Sequence, residues 1–410
     1  MKFIFAVAWR NLWRQGRRSL ITAGAMSVSV ALCMAMLAIS DGMFAQFYDV
    51  MVVRTLGHVQ IHNPDYPAKH QMQLTLQGAD ALVATLKADP EVSRVTERLY
   101  GSALVGTEER STGAQLLGVV PSDELAVTRM EGKVIQGRFL GDQPAGEVVL
   151  GKGLAETLKT GVGEQLVVIT QASDGSLGNE LYTIVGVVSS GRSALDRAGA
   201  WVHIEDLRSL LALEGQSHEV LVIGQDIDDL AGLKAVATAA VADQPALVRD
   251  WKQADPAIAK MLSMSEASVF VFLFIVFSVA ALGVLNTMLM AVFERTRELG
   301  VMRALGLRPG QLMSLVLAES AMLGVLACGA GLVLGGLLDA YLVVKGLDFS
   351  INGEGISQMG VMLDPVILGV VKPGSVVLTL AMLFAVCVLA GLWPAVRAAR
   401  LRPVDAMREG

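Results

Sequence analysis

The chain is short of the residues that soluble chemistry runs on. Only 18% of its 410 residues are charged, 5% are aromatic, five are histidine and three are cysteine. All three cysteines, Cys33, Cys328 and Cys387, fall inside long apolar runs, so none can staple a folded domain outside them. No G-x-S-x-G elbow, H-E-x-x-H helix or cysteine in a polar setting is present, and we find no catalytic constellation. A net charge of −6, with no basic patch left over once the arginines that flank the apolar runs are set aside, argues against nucleic acid as a partner.

What is abundant is apolar sequence, at 53% of residues. Four stretches reach the length of about 20 residues that a helix needs to cross a hydrocarbon core, and none holds a charge. They are Leu20–Ser40, Ala267–Phe293, Ser320–Leu338 and Pro373–Val396. The first is too long for the apolar core of a secretory signal and is followed by no convincing small-x-small cleavage site, so it reads as an uncleaved span. Before it, "MKFIFAVAWRNLWRQGRR" mixes Phe3, Phe5, Trp9 and Trp13 with arginines, the pattern of a helix at headgroup level.

Basic residues cluster in three places. Lys2, Arg10, Arg14, Arg17 and Arg18 precede the first span; Arg295, Arg297, Arg303 and Arg308 join the second to the third; Arg397, Arg400, Arg402 and Arg408 follow the fourth. The positive-inside rule places all three, and both termini, in the cytoplasm. Segment 45–262 and loop 345–372 are then outside. The expected order is an interfacial helix at 1–18, spans at 19–44, 263–293, 311–344 and 373–396, a cytoplasmic segment at 294–310, and a cytoplasmic tail at 397–410.

Segment 45–262 alternates short strand-like and helical runs, an α+β composition. "GHVQIHN" reads as a strand, "GADALVATLKADP" as a helix and "EVSRVTERLYGSALVGT" as a strand pair turning near Tyr100–Gly101. The pieces at about 57–110 and 216–250 look like halves of one lobe, with a β-rich lobe at about 111–215 inserted between them. A helix over Asp228–Ala242 closes the segment, and "DPAIAKMLSMSE", 255–266, reads as a helical stalk running into the second span.

Several motifs invite chemistry and are read more plainly. "GEVVLGKG", 146–153, approaches a phosphate-cradling loop but ends in Gly153 where Ser or Thr would hold Mg²⁺, so we read a strand and a glycine turn before a helix at 153–159. His58 and His62 share a strand face, with His70 and Met72 nearby; without a carboxylate pattern we read isolated surface histidines and no metal site. Small residues recur every four positions at Ala23, Ser27 and Ala31, at Gly283, and at Gly331 and Gly335, which predicts close helix packing. Glu319 reads as an inner-leaflet anchor paired with a cytoplasmic arginine.

Between two of the most apolar runs lies "ERTRELGVMRALGLRPGQ". A helix over 294–305 puts Glu294 in the first turn and Arg303 in the last, with Gly306 as its stop and Pro309 restarting the next helix. Leu299, Met302 and Leu305 share one face, with Val301 beside them, an apolar stripe that lipid or a partner must cover.

"ERTRELGVMRALGLRPGQLMSLVLAESAMLGVLACGAGLVLGGLL" and the ending "WPAVRAARLRPVDAMREG" resemble the permease superfamily of ATP-binding-cassette transporters that includes MacB-like macrolide exporters, LolC/LolE-like lipoprotein-releasing permeases and FtsX-like division proteins. The layout of one span, a large outer domain and three spans fits as well. "GHVQIHNPDYPA", "KGLDFSINGEGISQMG" and the overall length are most similar to the lipoprotein-releasing group. The resemblance implies a multi-pass inner-membrane permease with a porter-like periplasmic domain. It assigns Glu294, Arg297, Glu298, Leu299, Met302, Arg303 and Leu305 to a coupling helix that docks on a cytoplasmic ATPase. It implies two ATPase subunits carrying ATP and Mg²⁺, a second permease copy or homologue, and no cofactor or ATPase site in this chain. For a lipidated cargo, acyl chains would enter between the first two spans, at Met43, Phe44 and Phe47 on one side and Met264, Phe270 and Phe274 on the other; a periplasmic carrier would receive it. The rivals are a MacB-like mechanotransmitter driving a periplasmic pump and an FtsX-like regulator of a cell-wall hydrolase. "QASDGSLGNE", 171–180, is the one long hairpin tip.

Overall fold

The computed structural model describes residues 2–14, 16–226, 229–350, 357–358, 361–362 and 364–400. Most of "SINGEGISQMG" in the outer loop, the tail with Arg402 and Arg408, Asp228, and the side chains of Lys2, Phe3, Phe5 and Glu266 lie outside the described residues. The chain divides into two compact units: residues 1–45, 262–349 and 366–410, and residues 46–261 with 350–365.

Among the described residues the first unit holds four helices long and apolar enough to cross a membrane. They are Gly16–Tyr48, Pro256–Glu294, Pro309–Lys345 and Pro373–Ala399, the first and second of which extend into residues assigned to the other unit. The helix expected at 255–266 is continuous with the second span. An N-terminal helix, Lys2–Arg14, precedes the first span, and a short helix, Thr296–Ala304, joins the second to the third.

The third span is the hub. Along it, Gly331 meets Val30 so closely that an added Cβ would stand 2.7 Å from the valine Cβ, and at Gly335 it would stand 2.7 Å from the Met34 sulfur and 3.2 Å from the Ala31 Cα. Ser27 donates to its own helix at Ala23 and reaches the Ala327 carbonyl at 3.2 Å. Small side chains thus let two backbones approach where lipid offers no hydrophobic drive for association. On its other side the third span packs on the fourth, with Gly324 against Cys387. Gly283 departs from the expected ridge: it faces open space, with nothing within 4 Å of where a Cβ would stand.

Among the described residues the main sheet of the second unit has ten strands. In chain order they are β1 Val59–His62, β2 Val92–Gly106, β3 Ser111–Val119, β4 Val134–Gly137, β5 Glu147–Gly151, β6 Gln165–Gln171, β7 Leu177–Val188, β8 Gly199–His203, β9 Glu219–Gly224 and β10 Leu247–Asp250. The path across the sheet is β10-β1-β9-β2-β3-β8-β5-β7-β4, with β6 paired to β2 and β7. The β3–β8 and β5–β7 pairs are parallel; the others are antiparallel.

The expected strand pair at 91–107 is one strand of 15 residues. Gly101 is small because a Cβ there would stand 3.2 Å from Leu211 Cδ1, not because the chain turns. This strand gives Val92 and Val95 to a core with Val59, Ile61, Leu82, Val220 and Val222, and Leu99, Ala103 and Val105 to a second core with Leu150, Leu166 and Leu207. One uninterrupted strand therefore joins the two cores. In β6, residues alternate outward and inward, the pattern of a half-buried strand. The glycine-rich stretch at 146–153 is the end of β5 followed by a helix, Lys152–Leu158. A Cβ on Gly151 would stand 2.5 Å from the Asp196 carbonyl, so this glycine serves helix packing and cradles no phosphate.

Two of the histidines expected at the surface, His58 and His62, are not there. His58, His62 and His218 are buried, and His70 alone among these is exposed. His218 accepts from the Tyr100 amide (3.0 Å), its other nitrogen faces the Met72 carbonyl (3.0 Å), and its ring stacks on Tyr66 at 4.7 Å. His62 contacts the Gln60 side chain and lies 3.8 Å from Glu219. Strand alternation hid this because both faces of β1 are covered. No group of three or more potential metal ligands occurs among the described residues.

Burial pushes the His218 imidazole down to about 4 from its ordinary 6.5 and lowers His58 and His62 too. Because the folded state holds His218 neutral, the unfolded chain binds more protons between those two values, and stability falls as pH drops from about 6.5 toward about 4. The contribution is about 3 kcal/mol for this group. Thermal unfolding of the full-length protein in detergent should show a Tm that declines across this window, and His218→Gln should flatten the decline. An unchanged slope in that variant would remove His218 from the account.

Candidate coupling site

Thr296–Ala304 begins after Arg295, which has left helical geometry at φ −112°, ψ 14°, and ends where Gly306 takes φ +103°. Glu294 therefore closes the second span and does not open the short helix. Positive φ at Gly306 is a natural helix stop, and Pro309 at the first turn starts the third span.

The expected apolar stripe divides. Leu299 is 4% exposed and belongs to the core formed by all four spans, and Met302 packs against the same core. Leu305 is 80% exposed and Val301 is exposed beside it. The reason is helical spacing: 299 and 302 point into the bundle, whereas Arg297, Val301, Ala304 and Leu305 follow the i, i+4, i+7, i+8 rule on the opposite side. The stripe is thus half covered by the chain itself, and the outward face is a mixed one of an arginine and three exposed aliphatic side chains.

Ion pairs hold this helix in place. Glu319, on the third span, accepts from Arg295 at 3.0 Å, the arginine pairing expected of it, and from Asn11 of the N-terminal helix at 2.6 Å. Arg295 also reaches Glu298 at 3.3 Å. Arg14 pairs with Glu298 at 2.9 Å and Arg18 with Glu294 at 3.3 Å. These last two are largely solvated and are worth about 0–1 kcal/mol each. Arg303 donates to the Ala399 carbonyl at the end of the fourth span, and Arg397 lies over the Phe293 ring at 4.4 Å. The N-terminal helix, the short helix and the ends of the second, third and fourth spans therefore meet at one end of the bundle. Sequence reading named Arg303 for this site but did not bring Asn11, Arg14 or Ala399 to it, because their separation in the chain gives no local signal.

The residues named for acyl chains are distributed differently. Met264, Phe270 and Phe274 point outward, Phe274 being 69% exposed. Met43 and Phe44 are half-buried on the first span. Phe47 is 4% exposed and is unavailable to a cargo as the chain is folded. Among the described residues no core cluster joins the two groups. Ala23, Ser27, Ala31, Gly331 and Gly335 do come together along the first and third spans.

The described residues thus combine four helices long and apolar enough to cross a membrane, a short polar-ended helix at one end of them, and a separate α+β unit. The family described as MacB-like periplasmic core domain matches residues 19–244, and the FtsX-like permease C-terminal family matches residues 270–403. The chain belongs to the MacB/FtsX family of ATP-binding-cassette transporter permeases. Among its relatives, the lipoprotein-releasing system transmembrane protein LolC of Neisseria meningitidis is 28% identical over 75% of each chain, and LolE of Haemophilus influenzae is 22% identical over 98% of each. The macrolide export ATP-binding/permease protein MacB of Bdellovibrio bacteriovorus is 33% identical over 39% of this chain and 21% of its own. The extracellular domain of the transporter YknZ from Gram-positive bacteria, a solved structure, covers 47% of this chain and 99% of its own at 17% identity and a TM-score of 0.37.

The packing makes a direct prediction. Gly331→Leu should destabilise the detergent-solubilised protein by about 1–3 kcal/mol or more through overpacking against Val30. Gly283→Leu, whose new side chain meets nothing in the same chain, should leave its thermal unfolding unchanged. Equal tolerance of both would show that close approach at Gly331 is not what holds the first and third spans together.

Proposed function

We propose that this permease couples a cytoplasmic ATPase to lipoprotein release from the inner membrane, with Thr296–Ala304 as the docking helix. The observation that carries the reading is the division of that helix. Its Leu299 and Met302 side is packed into the bundle core, while Arg297, Val301 and Leu305 remain outward. A push on the outward side is then delivered to the ends of three spans through Glu319, Arg295 and Arg303.

In this reading both termini and the docking helix are cytoplasmic, in keeping with the arginines gathered at that end. Two permease chains, identical or homologous, assemble with two ATPase subunits, and ATP and Mg²⁺ belong to those subunits. The lipoprotein cargo is favoured because likeness to lipoprotein-releasing proteins extends over three quarters of this chain or more, against 39% for a MacB protein. Extraction of an acyl chain costs about 0.8 kcal/mol per CH₂, which calls for a nucleotide-driven change in an apolar surface. Of the side chains named for that surface, Met43, Phe44, Met264, Phe270 and Phe274 remain candidates, whereas Phe47 is enclosed. A periplasmic carrier would take the released cargo.

Leu305→Asp and Val301→Asp should cut lipoprotein-stimulated ATP hydrolysis by the reconstituted complex about tenfold, the effect of losing about 1.4 kcal/mol at an interface, while the permease stays folded. Leu299→Asp should instead unfold the bundle end. Full stimulation in the Leu305 and Val301 variants would take the docking role away from this helix.

A further inference from the structure

The outer domain contains a cavity of about 450 Å³, large enough for a small organic ligand. Its walls come from the first core's strands, from the second core's strands, and from Asp49–Leu56, a wide-turned helical segment. They are rich in guanidinium groups. Arg98 is fully engaged: it pairs with Glu124 at 2.8 Å and donates to the Thr55 and Arg54 carbonyls. Arg54 pairs with Asp49, and Lys133 with Asp364 at 3.2 Å.

Two further arginines on these walls are different. Among the described residues, neither Arg192 nor Arg249 has a carboxylate within ion-pair distance or a side-chain hydrogen bond. The Arg249 Nε is fully buried and has no partner. A buried donor left without an acceptor is costly. The remaining wall carboxylate, Glu219, is taken by the Tyr100 hydroxyl and faces His62 at 3.8 Å.

We propose that this cavity binds a phosphate group, with Arg192 and Arg249 as its two forks. A guanidinium matches phosphate or carboxylate oxygens in pairs, and the choice between them follows from placement. Arg192 precedes the helix Ser193–Ala198, whereas Arg249 lies on the edge strand β10, so two forks from separate elements open into one space. A planar carboxylate fills one fork. A tetrahedral phosphate offers oxygens in several directions and can serve both. Burial and the neighbouring Arg98 guanidinium hold Arg192 below the ordinary guanidinium range, a like-charge cost that a bound anion relieves.

The phosphate could come from a dissolved phosphate ester or from a lipid headgroup, and the chemistry at the two arginines is the same. The inference does not depend on the coupling role proposed above, because its readout needs no ATPase. Isothermal titration of the full-length protein in a neutral detergent would use glycerol 3-phosphate, dihexanoyl phosphatidylglycerol and, as control, glycerol. Saturable binding of glycerol 3-phosphate assigns a dissolved ester; binding of the short-chain lipid alone assigns a headgroup. In either case Arg192→Gln and Arg249→Gln should each weaken binding about tenfold or more, and Arg192→Lys should restore part of it. Arg192 makes no side-chain hydrogen bond, so its variants should unfold at the wild-type temperature. No saturable binding of either phosphate compound, or wild-type affinity in both glutamine variants, overturns the proposal.

Discussion

One carboxylate organises the polar end of the helical bundle. Glu319 sits 9% exposed on the third span and is satisfied from two directions, by Arg295 at the turn between spans and by Asn11 on the N-terminal helix. A charge this far from water is tolerable only with its partners in place, and removing one partner leaves the other's cost uncompensated. The pairing therefore fixes three chain segments at once. It also explains why Thr296–Ala304 is a defined helix and not a loose surface turn: Arg295 before it and Arg303 within it are both tied to spans.

Away from that end the polar contacts between spans among the described residues include Thr22 with Thr287 at 3.0 Å, Ser27 with the Ala327 carbonyl, and Asp41 with Lys372 and Ser375, and between them shape sets the packing. The third span has glycine where the first presents Val30 and Met34, and again where the fourth presents Cys387. These contacts make the third span the element against which its neighbours are positioned. The second span is held differently, by Leu273, Phe277, Val284, Met288 and Val292 on one face, while large side chains such as Phe270, Phe274 and Leu282 point away. Such a helix is anchored along one stripe and is otherwise clad in side chains suited to lipid or to another apolar surface.

The α+β unit obeys a different economy, because water is available and strands can pair. Its two cores are joined by one long strand, and its charges are buried in pairs, Arg98 with Glu124 and Arg208 with Glu97. Where pairing is incomplete, at Arg192 and Arg249, the walls of a cavity carry the surplus.

Local sequence decided a good deal. Length and apolarity placed the four spans, the glycine and proline at 306 and 309 set the end of the short helix and the start of the next, and four-residue spacing marked Ser27, Ala31, Gly331 and Gly335. What sequence could not decide was direction. The period that put Leu299, Met302 and Leu305 on one face did not say which of them the bundle would cover, and the spacing that marked Gly283 did not supply it with a neighbour. Gly101 looked like a turn and is a close contact; His58 and His62 looked exposed and are enclosed on both sheet faces. Periodicity is a property of one element, whereas burial and ion pairing depend on what distant segments bring to it, and only the tertiary fold settles that.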